Sequence, residues 1–255
     1  MNFDLSSKVA LITGGGQGVG RAIALRFSKQ GAIVVVNGRS TKEIEDTTAK
    51  ISEEGGKALA IRADVTNYKE VVEMVDSAVS TFGRIDILVN NAGDIVIAPF
   101  VEQSEVDWDR IMDVNVKSQF LCCKSIVPLM IKQQSGKIIN ISSEAGKMGF
   151  QYMVPYCAAK HAVIGLTRSL AKELAQYKIN VNAICPGSII NTKMRRKVDE
   201  SLKEIGAENL FTPLPPLGRF VTPEDVANIA TFLASSESDF MTGQAINITG
   251  GEVQI

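Results

Sequence analysis

The sequence predicts one α/β domain built as a doubly wound, mostly parallel sheet with helices on both faces, a three-layer arrangement. Three observations predict it. Short, continuous β-branched runs such as Ile33-Val34-Val35-Val36 recur along the chain, the pattern of strands covered on both faces. Helical stretches alternate with these runs, which makes parallel strand–helix–strand units with right-handed crossovers. A glycine-rich turn joins the first strand to the first helix, the connection that carries the binding fingerprint in sheets of this kind.

The elements follow in order. Residues 9–13 form the first strand and stop at glycines, and residues 21–30 read as a helix ending at Gly31. Residues 33–36 are the second strand; residues 41–54 are polar and helical, closed by Gly55-Gly56. Residues 58–61 make the third strand, and 67–82 a helix capped by Asn67, whose side chain suits the exposed N–H groups of a first turn. Residues 85–89 are the fourth strand, 104–133 one long helix and 137–141 the fifth strand. A helix spans 155–177 with Pro155 in its first turn, where a missing N–H costs nothing; residues 179–184 are the sixth strand. Thr222-Pro223-Glu224-Asp225 opens a further helix with a threonine cap, proline at the first position and acids in the first turn. Residues 245–248 are a final short strand. From 188 to about 217 the helical pattern blurs and Pro213, Pro215 and Pro216 arrive together. Such a stretch is too long for a plain connection and suggests a mobile lid. Its basic start (Lys193, Arg195, Arg196, Lys197) reads either as a solvated helix face or as a grip on an anionic substrate. No linker, repeat or low-complexity tract interrupts residues 1–255, so a single domain is expected.

Composition excludes several classes. A hydrophobic content of 45% and mean hydropathy of +0.10 describe a globular chain with a substantial core. With 27 basic and 28 acidic residues, nothing points to nucleic acid or an anionic membrane as partner. No apolar run approaches the ~20 residues that span a bilayer, and Met1 to Ser7 lacks the basic and apolar regions of a signal peptide. Cys122, Cys123, Cys157 and Cys185 have neither metal-ligand nor disulfide spacing, and with His161 the one histidine no metal site is expected. A cytoplasmic protein with reduced thiols is the expectation.

The chemistry concentrates in residues 142–160. Tyr156 and Lys160 stand four residues apart, on one face of a helix. A fixed cation beside a phenol favours the phenolate and lowers a pKa that is ordinarily near ~10. Ser143, just beyond the fifth strand, can offer a hydroxyl to the same substrate oxygen. Taken alone, the pair reads equally as a solvated couple on a helix. Thr13-Gly14-Gly15-Gly16-Gln17-Gly18-Val19-Gly20 lies between strand and helix, where backbone N–H groups and the helix dipole receive a phosphate. Its spacing is T-G-x-x-x-G-x-G and does not match G-x-G-x-x-G.

These motifs together resemble the short-chain dehydrogenase/reductase family. They are the glycine turn, Asn90-Asn91-Ala92-Gly93 after the fourth strand, Asn115 in the long helix, Ser143 with Tyr156-x-x-x-Lys160, and Pro186-Gly187 after the sixth strand. The resemblance covers essentially the whole chain. It implies a Rossmann-type seven-stranded sheet, a nicotinamide cofactor and a homotetramer. By it, Tyr156 is the acid in carbonyl reduction and the base in alcohol oxidation, and Ser143 holds the substrate oxygen. Lys160 lowers the tyrosine pKa and bonds the nicotinamide ribose, and Asn115 supports a water that relays protons to the lysine. Gly14, Gly16, Gln17, Gly18, Val19 and Gly20 form the phosphate turn. Asp64 and Val65 resemble the pair that flanks the adenine. Asn91, Ala92 and Gly93 line the cofactor wall or brace the sheet; Pro186, Gly187, Ile189 and Thr192 approach the nicotinamide.

Cofactor choice turns on the end of the second strand. An NAD-preferring chain ends it with an acid that accepts from the ribose hydroxyls. Here Gly38 takes that place and Arg39 and Ser40 follow, groups that suit a 2′-phosphate. NADP(H) is therefore expected over NAD(H), although the turn lacks the second basic residue many NADP-linked relatives carry. The expected reaction interconverts a secondary alcohol and a ketone on a sugar, polyol or small hydroxy compound. A 3-oxoacyl-carrier-protein reductase is the alternative, and a non-catalytic nucleotide sensor the alternative from another class. Apolar residues on the long helix and the Tyr156 helix, including Phe120, Leu121, Val163, Ile164 and Leu166, are expected at the tetramer's two-fold interface.

Overall fold

A computed structural model describes residues 3–210 and 212–255; Met1, Asn2 and Phe211, the last within the expected lid, lie outside the described residues. Seven strands are present among the described residues: β1 (Val9–Ile12), β2 (Ile33–Gly38), β3 (Lys57–Arg62), β4 (Ile87–Asn90), β5 (Gly136–Ile141), β6 (Ile179–Pro186) and β7 (Ala245–Ile248). They form one sheet in the order β3-β2-β1-β4-β5-β6-β7, every pairing parallel. The helices are α1 (Gly18–Lys29), α2 (Thr41–Glu53), α3 (Tyr68–Phe82), α4 (Glu105–Met112), α5 (Ser118–Gln133), α6 (Val154–Leu174), α7 (Lys193–Glu204) and α8 (Pro223–Ala234).

Alternation along the strands builds two cores. Ala10, Ile12, Val34, Val36 and Val89 face one layer, where Phe27 of α1 and Val226 of α8 meet them. Leu11, Val35 and Leu88 face the other, with Met74 of α3 and Ile126 and Met130 of α5. Residues one apart thus serve opposite layers, and both layers are apolar, which is why these strands read as unbroken hydrophobic runs. Strand order reverses at β1, which pairs with β2 on one side and β4 on the other. Ligands of open α/β sheets bind at the carboxyl ends of the strands flanking such a switch point.

Three local readings needed correction. The first helix begins at Gly18 rather than residue 21, because the glycine turn runs straight into it. The helix expected over 104–133 is interrupted by a π-helical turn, Asp113–Lys117, that separates α4 from α5. The blurred lid contains a regular helix, α7, with Thr192 capping it by accepting from the Arg195 N–H at 3.0 Å. Only Val198 and Leu202 of α7 are buried, a stripe too thin to read as a period.

Candidate active site

A cleft of about 420 Å³ runs along the carboxyl ends of the strands from Arg39 to Met153. Its nucleotide end is shaped by the glycine turn. Gly14 has a positive φ of 63°, and a Cβ on Gly20 would lie 2.2 Å from the Gly14 carbonyl oxygen, so no other residue fits there. Gly14, Gly16, Gln17, Gly18 and Val19 line the cleft, whereas Gly20 lies behind the turn and lets α1 approach it. Asn91 fixes this shape: its Nδ2 donates to the carbonyls of Thr13 (2.9 Å) and Gly14 (3.1 Å). The Asn91 and Ala92 N–H groups donate to the Thr13 hydroxyl at 2.9 and 3.1 Å. Asn91 therefore braces β1 to β4 and lines the cleft with Ala92 and Gly93.

Beyond β2 the cleft is edged by Arg39 and Ser40. An acid at position 38 would be crowded, because a Cβ there would meet Ile44 Cγ2 at 2.8 Å and Ile44 is buried. The Ser40 Oγ accepts from the Glu43 N–H at 3.4 Å as the cap of α2, a local task the sequence reading did not assign it. Across from Arg39, Asp64 accepts from the Thr66 N–H and hydroxyl at 2.9 and 2.8 Å. Burial opposes ionisation of Asp64, but those bonds and the charges of Arg39 and Arg62 hold its carboxyl below the usual range. Val65 is buried beside it.

At the other end, Ser143, Tyr156 and Lys160 come together. Tyr156 lies on the first turn of α6, 8% exposed, with its phenol hydrogen-bonded to Ser143. Burial pushes the phenol up to about 12, against the help of that bond. Burial thus outweighs the lowering expected from the cation at Lys160. Lys160 Nζ sits 5.4 Å from the Tyr156 ring centroid and donates to the Ile141 carbonyl at 3.0 Å. Burial also pushes Lys160 down to about 8, because desolvation disfavours an unpaired ammonium. Ser142, the neighbouring hydroxyl, donates to the Lys160 carbonyl at 2.9 Å. His161 is exposed on the next face, its Nδ1 2.8 Å from the Cys157 carbonyl.

Asn115 lies in the π-helical turn, fully buried, and its Nδ2 donates to the carbonyls of Asp94 (2.8 Å) and Ile111 (2.9 Å). Its Oδ1 is buried without a protein partner. A Cβ on Gly93 would lie 2.9 Å from that Oδ1 and 3.7 Å from Lys160 Nζ, so the amide and the ammonium flank the same bare backbone. A side chain at 93 would separate them.

The far wall holds Pro186, Gly187, Ile189 and Thr192. Ile189 bridges to Val221, and the Thr192 methyl lies 3.5 Å from the Cβ position of Gly18, so the lid starts against the glycine turn. In the basic run Arg196 is exposed, and the other three residues have acidic partners. Lys193 pairs with Glu43, Lys197 with Asp94 at 2.7 Å, and Arg195 with Asp199 at 2.8 Å while stacking over Phe220. Asp94 also pairs with Arg110 of α4. The sequence reading missed Asp94 and, next to Ser143, Glu144, which lines the cleft. A charged residue directly after Ser143, in a segment otherwise small or apolar, was the available signal.

Comparison with known proteins agrees with this geometry. Residues 8–203 match the short chain dehydrogenase family model. The 3-oxoacyl-[acyl-carrier-protein] reductase of Thermotoga maritima is 41% identical over 249 residues, covering 98% of this chain and 99% of that protein. Levodione reductase superposes with a TM-score of 0.92 at 30% identity, over 97% of this chain and 98% of its own. A candidate NAD(P)-dependent gluconate 5-dehydrogenase from Beutenbergia cavernae, solved with NADP at low occupancy, gives 0.87 at 35% identity over 98% of each chain. The chain belongs to the short-chain dehydrogenase/reductase family of NAD(P)-dependent oxidoreductases that act on CH–OH groups.

Proposed function

We propose that the chain is an NADPH-dependent reductase of the keto group of 3-oxoacyl thioesters, with Tyr156, Ser143, Lys160 and Asn115 as its working set. The observation that carries the reading is geometric: Ser143, Tyr156 and Lys160 line one cleft with the glycine turn, and Asn115 Oδ1 and Lys160 Nζ flank Gly93 in its wall. Buried Tyr156 keeps its proton at neutral pH, the form a reduction needs. End-to-end identity with 3-oxoacyl-carrier-protein reductases supports the substrate class.

The residues present fit a dinucleotide phosphate. The glycine turn leaves backbone where side chains would intrude, α1 directs its first-turn N–H groups there, and Gly38 replaces the acid that would repel a 2′-phosphate, with Arg39 next to it. The cofactor would supply the hydride. Ser143 and Tyr156 then donate hydrogen bonds to the ketone oxygen as negative charge develops on it, and the phenol transfers its proton. Lys160 stabilises the resulting phenolate, and the free Asn115 Oδ1 accepts from a water that returns a proton towards Lys160.

A second reading, a sugar or polyol, draws on one observation: the Glu144 carboxyl stands inside the cleft, polar where an acyl chain needs none. Oxidation of reduced nicotinamide should be followed with a 3-oxoacyl thioester and with keto-sugars, using NADPH and NADH in turn. The thioester with NADPH is expected to give the highest kcat/KM. A tenfold advantage for the keto-sugars would install the second reading, and a marked preference for NADH would overturn the cofactor assignment.

A further inference from the structure

Glu144 opens a short 3-10 turn, Glu144–Gly146, immediately after Ser143. Its side chain is 7% exposed, and Oε2 is buried without a hydrogen-bond partner. The charge that acts on it is Glu252, of like sign, so no cation explains its burial. Oε2 lies 3.2 Å from the Cβ position of Gly187; a side chain there would crowd the carboxyl. Glu144 also borders a smaller cavity of about 240 Å³ that continues from the cleft beneath Phe150, Leu210, Pro213 and Phe220. Glu144 thus borders both the cleft that holds Ser143 and Tyr156 and this second cavity.

A buried oxygen with an unmet hydrogen bond costs stability, and an apolar residue of similar size would avoid that cost. We propose that Glu144 is a specificity-determining residue that hydrogen-bonds a second oxygen of the substrate, close to the carbon that Tyr156 and Ser143 serve. This rests on the ketone-reduction reading of the site. Burial pushes the Glu144 carboxyl up to about 8, so at neutral pH it is an acid able to donate as well as accept. Two oxygens have this chemistry: a hydroxyl beside the ketone, and the thioester carbonyl of a 3-oxoacyl substrate. A plain ketone has neither, and a site built to bond an oxygen discriminates against the analogue that lacks it.

The test compares kcat/KM for a plain ketone, its α-hydroxy counterpart and a 3-oxoacyl thioester in the parent, Glu144→Gln and Glu144→Val. The parent is expected to favour an oxygen-bearing substrate over the plain ketone. In Glu144→Val that ratio should fall roughly 5- to 100-fold, chiefly through KM, and Glu144→Gln, which keeps a donor, should retain most of it. The substrate whose ratio falls names the source of the oxygen. Quenching of protein fluorescence by NADPH and the thermal midpoint are expected to stay at parental values or better. A ratio that does not move in Glu144→Val overturns the assignment while leaving the functional reading intact. A parent inactive on all three substrates with both nucleotides overturns the functional reading itself.

Discussion

The phenolic proton of Tyr156 is held tightly because the side chain is buried among apolar neighbours, with its pKa pushed up to about 12. Removing it should cost the transferable proton and little else. Tyr156→Phe is expected to lower turnover by about 10²–10⁴-fold while NADPH still binds, as measured by fluorescence titration; near-parental turnover would exclude the mechanism given above. The spacing of Tyr156 and Lys160 was legible in the sequence, but the direction of the phenol's shift was not. Charge proximity can be read from an i,i+4 spacing, whereas desolvation depends on the cluster that Tyr156 joins, to which Ile95, Ile111 and Leu202 come from distant parts of the chain. Arg39 is the converse case, since a missing acid and a present guanidinium are both visible in the residues alone. Arg39→Ala should raise the KM for NADPH roughly tenfold, the value of a charge-assisted bond at an exposed site, and leave that for NADH nearly unchanged. An equal effect on both nucleotides in steady-state kinetics would remove Arg39 from the 2′-phosphate site.

At the scale of elements, α7 is fastened by its charges. Lys197 reaches Asp94 on the loop after β4, and Lys193 reaches Glu43 on α2. Exposed pairs of this kind contribute ~0.2–1 kcal/mol each, enough to bias a helix that buries only Val198 and Leu202. Lys197→Met is expected to raise the KM for the ketone about two- to fivefold with kcat little changed. The parent should approach the variant as salt is raised from about 50 to 500 mM, because screening weakens exposed pairs. A KM for the parent that ignores salt would mean that the pair does not hold the lid. Caps at Asn67 and Thr222 were readable because each is a local pattern, and the structure has both. The π-helical turn at Asn115 was not, since nothing in residues 113–117 breaks a helical period. Asn115 in that turn bonds the Ile111 carbonyl one turn back and the Asp94 carbonyl on the loop after β4, and the second of these contacts cannot be read from local sequence.

Across the whole molecule, the apolar residues expected at an interface divide between the protomer's core and its surface. Leu121, Val163 and Ile164 are buried inside the protomer, as a helix packed on a sheet requires, so they are not interface residues. Phe120 is 47% exposed, as are Phe100 and Val101 before α4 and Val106 and Trp108 within it. Exposed apolar side chains of this size are candidates for an association surface. A tetramer is expected, with a light-scattering mass four times the 27.5 kDa protomer at micromolar concentration; a monomeric mass would refute it. Parallel pairing was legible from the alternation of strands and helices. Which strands sit side by side was fixed by contacts far apart in sequence.

The bracing of the glycine turn by Asn91 bears on how the chain folds. Those bonds join residues 77 and 78 apart, so the turn takes its shape only after β4 has docked beside β1. Long-range pairing of parallel strands is slow, because the closure entropy of the intervening chain is lost before the contacts form. The phosphate cradle is therefore expected to be completed late, once the chain from α1 to α3 that separates its two halves in sequence has looped round to bring β4 beside β1. Nucleotide can raise the equilibrium stability of the finished fold by mass action, but it finds no site on the early chain and cannot act as a template for collapse.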